Sequence, residues 1–153
     1  MSWSNTNRIV TPLKAYNVNT TPGENTNKTG FWRRIGSNLE IFGRVVWTGN
    51  PGSGVLRVEI PDASDGFLST EVMDTSQIVA PDNFIDSTTI LGEAYCYYGT
   101  GGTCHKGTIF YNNTVGFRFT FDQIENSAFN PSSVLVSGDS VAWHAVVPIV
   151  GWS

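Results

Sequence analysis

The feature that most constrains this chain is its series of short, alternating apolar segments separated by turn residues. In residues 39–47, Leu39, Ile41, Gly43, Val45 and Trp47 fall on one face of an extended chain, and Glu40, Phe42, Arg44 and Val46 fall on the other. A two-residue period is typical of a half-buried strand, and no segment of ten or more residues shows a helical period. The pattern predicts an all-β, antiparallel β-sandwich that resembles a jelly roll.

Two pairs of these segments predict β-hairpins. Residues 31–35 and 39–47 flank the turn cluster at 36–38, and residues 88–98 and 103–112 flank the glycine-rich loop 99–102. A short loop with glycine between two alternating runs favours an antiparallel pair. The pattern predicts further strands at 55–60, near 77–79, at 115–121 and at 140–150. It predicts short helical turns after Pro81 and within 122–130.

Length and composition predict one folded domain preceded by an arm. The chain has 153 residues, which fits a single domain. Residues 1–28 are polar and lack an apolar period, so we interpret them as an extended N-terminal arm, with the sandwich at 29–153. Trp3 lies near the tip of the arm and could contact its own domain or a neighbouring subunit. We expect deletion of 1–28 to leave the sandwich folded.

The charge balance excludes some partners. Charged residues are 14% of the chain and the net charge is −4, with no basic run. Binding to nucleic acid depends on clustered lysine and arginine, so we expect none. We also expect no membrane contact, because no segment approaches the about 20 apolar residues of a membrane span and the N-terminus lacks the apolar segment of a signal peptide. This favours synthesis in a cytosol.

The sequence allows two registers for the second hairpin, and they place its two cysteines differently. A loop centred on Thr100 would place Cys96 opposite Cys104 and allow a disulfide. A loop centred between Thr100 and Gly101 would instead pair Cys96 with His105 and leave free thiols. In neither register do Cys96, Cys104 and His105 converge, because neighbouring residues of a strand point to opposite faces. We therefore expect no zinc site.

The sequence offers no catalytic constellation. Neither His105 nor His144 belongs to a motif that pairs a nucleophile with a base, and His144 falls on the strand face opposite the core. Asp62, Asp65 and Asp74 match no calcium-loop spacing and suit turns. We therefore predict no enzyme, no cofactor and no bound metal.

Aromatic residues supply the candidate contacts. Tyr97 and Tyr98 stand next to the loop of the second hairpin, where they could stack on a sugar or pack against a partner. With them we count as candidate ligand or partner contacts Trp3, Thr100 and His105. Trp47 and Trp143 are assigned to the core instead.

Two stretches carry a resemblance. The first is GFWRRIGSNLEIFGRV at 30–45, followed by VLRVEIP at 55–61, and the second is VPIVGWS at 147–153. Together they resemble small virion surface proteins and fibre-tip domains of tailed bacteriophages. The resemblance implies a β-sandwich on the outer surface of a virion, commonly a homotrimer, assembled in the host cytoplasm.

The resemblance implies no catalytic residues and leaves two tasks open. Without a stalk of heptads or repeats, the chain favours a capsid decoration (cement) protein that binds the major capsid protein. The alternative is a head-fibre or tail-fibre tip that binds a host receptor or surface glycan.

Overall fold

The computed structural model describes residues 10–61, 90–99, 101–112, 116–122, 129–149 and 152. Within them the chain forms nine strands and one short 3-10 turn, Pro131–Ser133. The strands are β1 Lys14–Ala15, β2 Thr20–Thr21, β3 Thr26–Ile35, β4 Asn38–Trp47, β5 Arg57–Val58, β6 Ile90–Tyr98, β7 Thr103–Asn112, β8 Gly116–Phe121 and β9 Ser140–Pro148. No helix in these ranges is long and apolar enough to cross a membrane.

All nine strands belong to one antiparallel sheet in the order β1-β3-β4-β9-β6-β7-β8-β5-β2. Strand β2 ends this order, and β3 lies next to the opposite end, yet only residues 22–25 separate them in the chain. Such a link spans at most about 18 Å, whereas seven strand spacings in a flat sheet amount to about 34 Å. The sheet must therefore curl, so that its two halves face each other across a common core. The predicted all-β, sandwich-like antiparallel fold is confirmed.

The inner face of the curled sheet carries the core. The predicted alternation holds in three strands, whose inward residues are all nearly or fully buried: Leu39, Ile41, Val45 and Trp47 in β4; Phe117, Phe119 and Phe121 in β8; Val141, Trp143, Ala145 and Val147 in β9. Phe119 of β8 meets Trp143 of β9 with ring centroids 5.9 Å apart. Since two strands lie between β8 and β9 in the sheet, this contact reaches across the concave interior.

Two opposed glycines make room for large core side chains. Gly30 and Gly43 face each other in the β3–β4 pair. A Cβ on Gly43 would lie 2.2 Å from the Trp143 ring, and one on Gly30 would lie 2.3 Å from Val18 and 2.5 Å from Tyr16. The absence of a side chain at both positions is therefore a packing requirement here.

Both predicted hairpins are present. Strands β3 and β4 are joined by Gly36–Ser37, and Gly36 has a φ of 59°, as the first central residue of a type II′ turn does. Strands β6 and β7 pair from Ile90 to Tyr98 with a four-residue loop at 99–102.

Other strand predictions differ from the structure. The strand predicted at 55–60 is paired only at Arg57–Val58. The strand predicted near 77–79 and the turn after Pro81 lie outside the described residues. So does most of the helical turn predicted within 122–130, and the 3-10 turn begins just after it, at Pro131.

The described part of the predicted arm belongs to the sheet. Strands β1 and β2 pair with β3 and β5, and Tyr16 and Val18 are 7% and 4% exposed. Their side chains fill the space above Gly30, which explains why a polar, aperiodic segment is ordered here. Residues 1–9 lie outside the described residues, so the expectation of an arm is restricted to them.

Candidate functional site

The outward side of the strands β3, β4, β9, β6 and β7 is the candidate site, and we call it the outer face. Its aromatic residues include Phe31, Tyr95 and Tyr97, which are 45%, 43% and 41% exposed. Single exposed apolar residues are ordinary on protein surfaces, but a group of aromatic ones on one sheet face is typical of a contact surface. The residues of the outer face include Phe31, Arg33, Glu40, Phe42, Arg44, Val46, Glu93, Tyr95, Tyr97, Cys104, Lys106, Ser140, Ala142, His144 and Val146.

The outer face contains a buried carboxylate, that of Glu40. Glu40 is 7% exposed although its strand position faces outward, because Arg33 and His144 flank it on the neighbouring strands. Arg33 Nε donates to Glu40 Oε2 at 2.6 Å, and His144 Nε2 lies 2.9 Å from Glu40 Oε1. Since an ionised carboxylate only accepts, the imidazole Nε2–H is the donor. Burial raises the pKa of Glu40, but the hydrogen bonds from Arg33 and His144 outweigh it and hold the pKa below the ordinary 4.5.

An aromatic row runs across the first three of these strands. Phe31 lies opposite Phe42 in the β3–β4 pair, and Phe42 lies opposite His144 in the β4–β9 pair. The Phe42 and His144 rings stack with centroids 4.6 Å apart and an angle of 15° between their planes. The stack and the Glu40 hydrogen bond together fix the orientation of the His144 ring.

The row continues into a polar group on β6 and β7. Glu93 lies opposite His144, and its carboxylate pairs with Lys106 Nζ at 3.2 Å. The Tyr95 hydroxyl donates to Glu93 Oε2 at 3.3 Å. The hydrogen bond from Lys106 is the main reason that the pKa of Glu93 is lowered, and the same contact raises the pKa of Lys106. Both carboxylates of the outer face are thus already paired with cations.

A small residue on β9 makes a low point in this face. Ala142 is partly exposed there, whereas Ser140, the previous outward residue of β9, is only 3% exposed. Ala142 lies between Arg44 on β4 and Tyr95 on β6, and Ser140 lies between Val46 and Tyr97. Adjacent strands are about 4.8 Å apart, so the larger side chains on the two sides stand on strands about 10 Å apart. His144 is the next outward residue of β9 after Ala142, and we call this feature the β9 groove.

The structure separates the residues that the sequence grouped as contacts. Tyr97 belongs to the outer face, whereas Tyr98 is half-buried on the opposite side of β6. Tyr98 contacts His105 there, with ring centroids 5.1 Å apart in an edge-to-face arrangement. Trp3 and Thr100 lie outside the described residues. Among the candidate contacts that the structure describes, Tyr97 lies on the outer face, and Tyr98 and His105 do not.

The second hairpin adopts the register that pairs Cys96 with His105. Cys104 lies opposite Tyr97 and is exposed, whereas Cys96 is buried, and both thiols are free. A disulfide between them is therefore excluded in this fold, since Cys104 is next to His105 and successive residues of a strand point to opposite faces. Burial, followed by the charge of Asp139, raises the pKa of the Cys96 thiol to about 12.

In the described ranges, His144 hydrogen-bonds only to Glu40, so no hydroxyl or thiol is hydrogen-bonded to its ring for activation. The same ranges contain no group of three or more His, Cys, Asp or Glu placed to hold a metal ion. Asp62, Asp65 and Asp74 fall outside them.

Sequence reasoning missed the β9 groove and Arg44. Alternation places Arg44 and Ala142 on the outward faces of their own strands, but nothing in the sequence gives the pairing of β9 with both β4 and β6. A small residue between two large ones becomes visible only when the register is known.

Comparison of the chain with family models, with curated proteins and with solved structures finds no match in any of the three. The resemblance to phage virion proteins therefore stays a prediction.

Proposed function

We propose that this chain is a non-catalytic recognition module that acts on the outer surface of a bacteriophage virion, with the outer face as its contact surface. The observation that carries recognition is the set of exposed rings of Phe31, Tyr95 and Tyr97 on one rigid sheet face. Strands hold such side chains in fixed positions, which reduces the entropy lost on binding. The virion location is supported by the motif resemblance alone.

The sheet edges favour contact through a face. At the two ends of the sheet order, β1 and β2 have only two residues each. Around β1, further backbone hydrogen bonds from Thr11 and Tyr16 to β3 cover the edge of β3 from Gly30 to Arg34. Short, covered edges are poor templates for pairing with another chain. Contacts through the ends of this sheet are therefore disfavoured.

Two forms of this function remain as candidates. As a decoration protein, the chain would bind the major capsid protein as a homotrimer. As a receptor-binding domain, it would bind a glycan of the host surface, and the combination of exposed tyrosines with charged neighbours on one face favours this second form.

Immunogold electron microscopy tests the location. Antibodies against the recombinant domain are applied to particles assembled in the cell that expresses the chain. Label over the heads supports the decoration form, and label at fibre tips supports the receptor-binding form. Purified particles without label contradict a virion location.

Binding experiments test the contact surface separately. We expect Phe31→Ser and Tyr97→Ser to weaken binding to isolated capsids or to host cells. The control Val136→Ser changes a side chain that is 48% exposed in the segment between the 3-10 turn and β9. Equal binding by all three variants would contradict a role for the outer face.

A further inference from the structure

Arg44 is the one cation in the β9 groove that has no carboxylate partner among the described residues. Arg33 is paired with Glu40 and Lys106 with Glu93, whereas the exposed Arg44 only donates from Nη2 to Ser140 Oγ at 3.3 Å. That hydrogen bond directs the guanidinium toward β9. The remaining guanidinium donors are available, and an arginine fork fits a carboxylate with two parallel hydrogen bonds.

The opposite wall of the groove offers aromatic surface. Tyr95 and Tyr97 are two residues apart on β6, so their rings rise about 7 Å from each other on the same face. Both are more than 40% exposed, and the hydroxyl of Tyr95 is held by Glu93. Such rings can stack on the C–H face of a sugar while its hydroxyl groups remain in water.

The shape of the groove argues against a peptide as the ligand. An extended peptide binds a sheet most readily by adding a strand to a free edge, and a sheet face offers no free backbone donors. A helix binds in an apolar groove, whereas the charged Arg44 lies beside Ala142 here. Arg44 stands on one side of Ala142, and the exposed rings of Tyr95 and Tyr97 stand on β6 on the other side.

We infer that the β9 groove binds a saccharide that carries a carboxylate, such as a uronic or sialic acid residue. The sugar ring stacks on Tyr97 or Tyr95, and its carboxylate pairs with Arg44 across Ala142. This inference rests on the proposed recognition function and names its ligand class.

Titration calorimetry on the intact protein tests the inference with three probes: trigalacturonate, its methyl ester and 3′-sialyllactose. We expect an acidic probe to bind and esterification to weaken binding about tenfold or more, because the ester cannot form the charged pair with Arg44. Arg44→Gln should weaken binding of the acidic probe to a similar degree, and Tyr97→Ala should also weaken it. Lys28→Gln, which makes the same change of charge away from the groove, is the matched control.

Different results would contradict different parts of the proposal. Acid and ester binding equally, or Arg44→Gln and Lys28→Gln behaving alike, would overturn the pairing of a carboxylate with Arg44. If no saccharide binds while capsids or cells still bind through the outer face, the saccharide is wrong and the recognition function stands. If Phe31→Ser and Tyr97→Ser alter no binding at all, the recognition function fails as well.

Discussion

At the scale of single residues, the two cysteines differ sharply in their surroundings. Cys96 is buried and its pKa is raised to about 12, whereas Cys104 is exposed on the outer face. Only a thiolate attacks a thiol reagent, so burial and a raised pKa both protect Cys96. The difference follows from the register of one hairpin.

We therefore predict that one thiol per chain reacts with Ellman's reagent at pH 8 in the native protein and that two react in denaturant. Cys104→Ser should abolish the native reaction, and Cys96→Ser should leave it unchanged. No reaction in denaturant without reductant would show a disulfide and contradict the observed register.

Glu40 gives a second prediction, for the dependence of stability on pH. Its folded pKa lies below 4.5, so the stabilisation from its ionised form is present above that pH and is lost as the pH falls through the folded pKa. We expect Glu40→Gln to lower the free energy of unfolding by about 1–3 kcal/mol at pH 7, because a neutral amide replaces a doubly bonded carboxylate. The difference should shrink in acid.

Urea unfolding of both proteins between pH 3 and 7 measures this effect. The control Glu59→Gln alters an exposed carboxylate on another part of the sheet. A deficit of Glu40→Gln that stays constant with pH would rule out the proposed ionisation.

At the scale of elements, the β3–β4 hairpin depends on its opposed glycines. We predict that Gly43→Ala destabilises the protein by about 1–3 kcal/mol, because its methyl group would overlap the Trp143 ring and force it to move. Thermal unfolding followed by tryptophan fluorescence measures the loss. Gly101→Ala is the control, since a Cβ there meets nothing nearer than 3.6 Å. If the two variants were equally stable, the Trp143 ring would move aside without a measurable loss of stability, and the packing role of Gly43 would be contradicted.

The strands differ in how far the sequence could predict them. Hairpins and inward faces were predictable for β4, β8 and β9, since alternation and turn residues are local signals. Strands β1 and β2 were not predicted, because two residues are too few to show a period, whereas β5 was predicted as part of a longer strand at 55–60. The pairing of Glu40 with His144 joins residues 104 positions apart and has no local signal. The outward-facing residues could therefore be predicted within single strands, but the groove that neighbouring strands form together could not.

At the scale of the whole molecule, deletions in the N-terminal segment would show where the folded domain begins. We predict that deletion of residues 1–9 leaves the melting temperature almost unchanged. Deletion of 1–28 should cost more than about 3 kcal/mol, because it removes the buried side chains of Tyr16 and Val18 as well as β1 and β2. Circular dichroism melts of both deletions measure this. A stable protein lacking 1–28 would restore the view that this whole segment is a separate arm.

Strand β9 is the last strand in the described chain but the fourth of nine in the sheet, where it joins β4 to β6. During synthesis, the β3–β4 and β6–β7 hairpins leave the ribosome well before the strand that must lie between them. Each would meanwhile present an open edge that chaperones or a neighbouring chain could occupy. The domain is thus expected to complete its fold only after residues 140–148 have emerged, and slow translation should offer it little benefit.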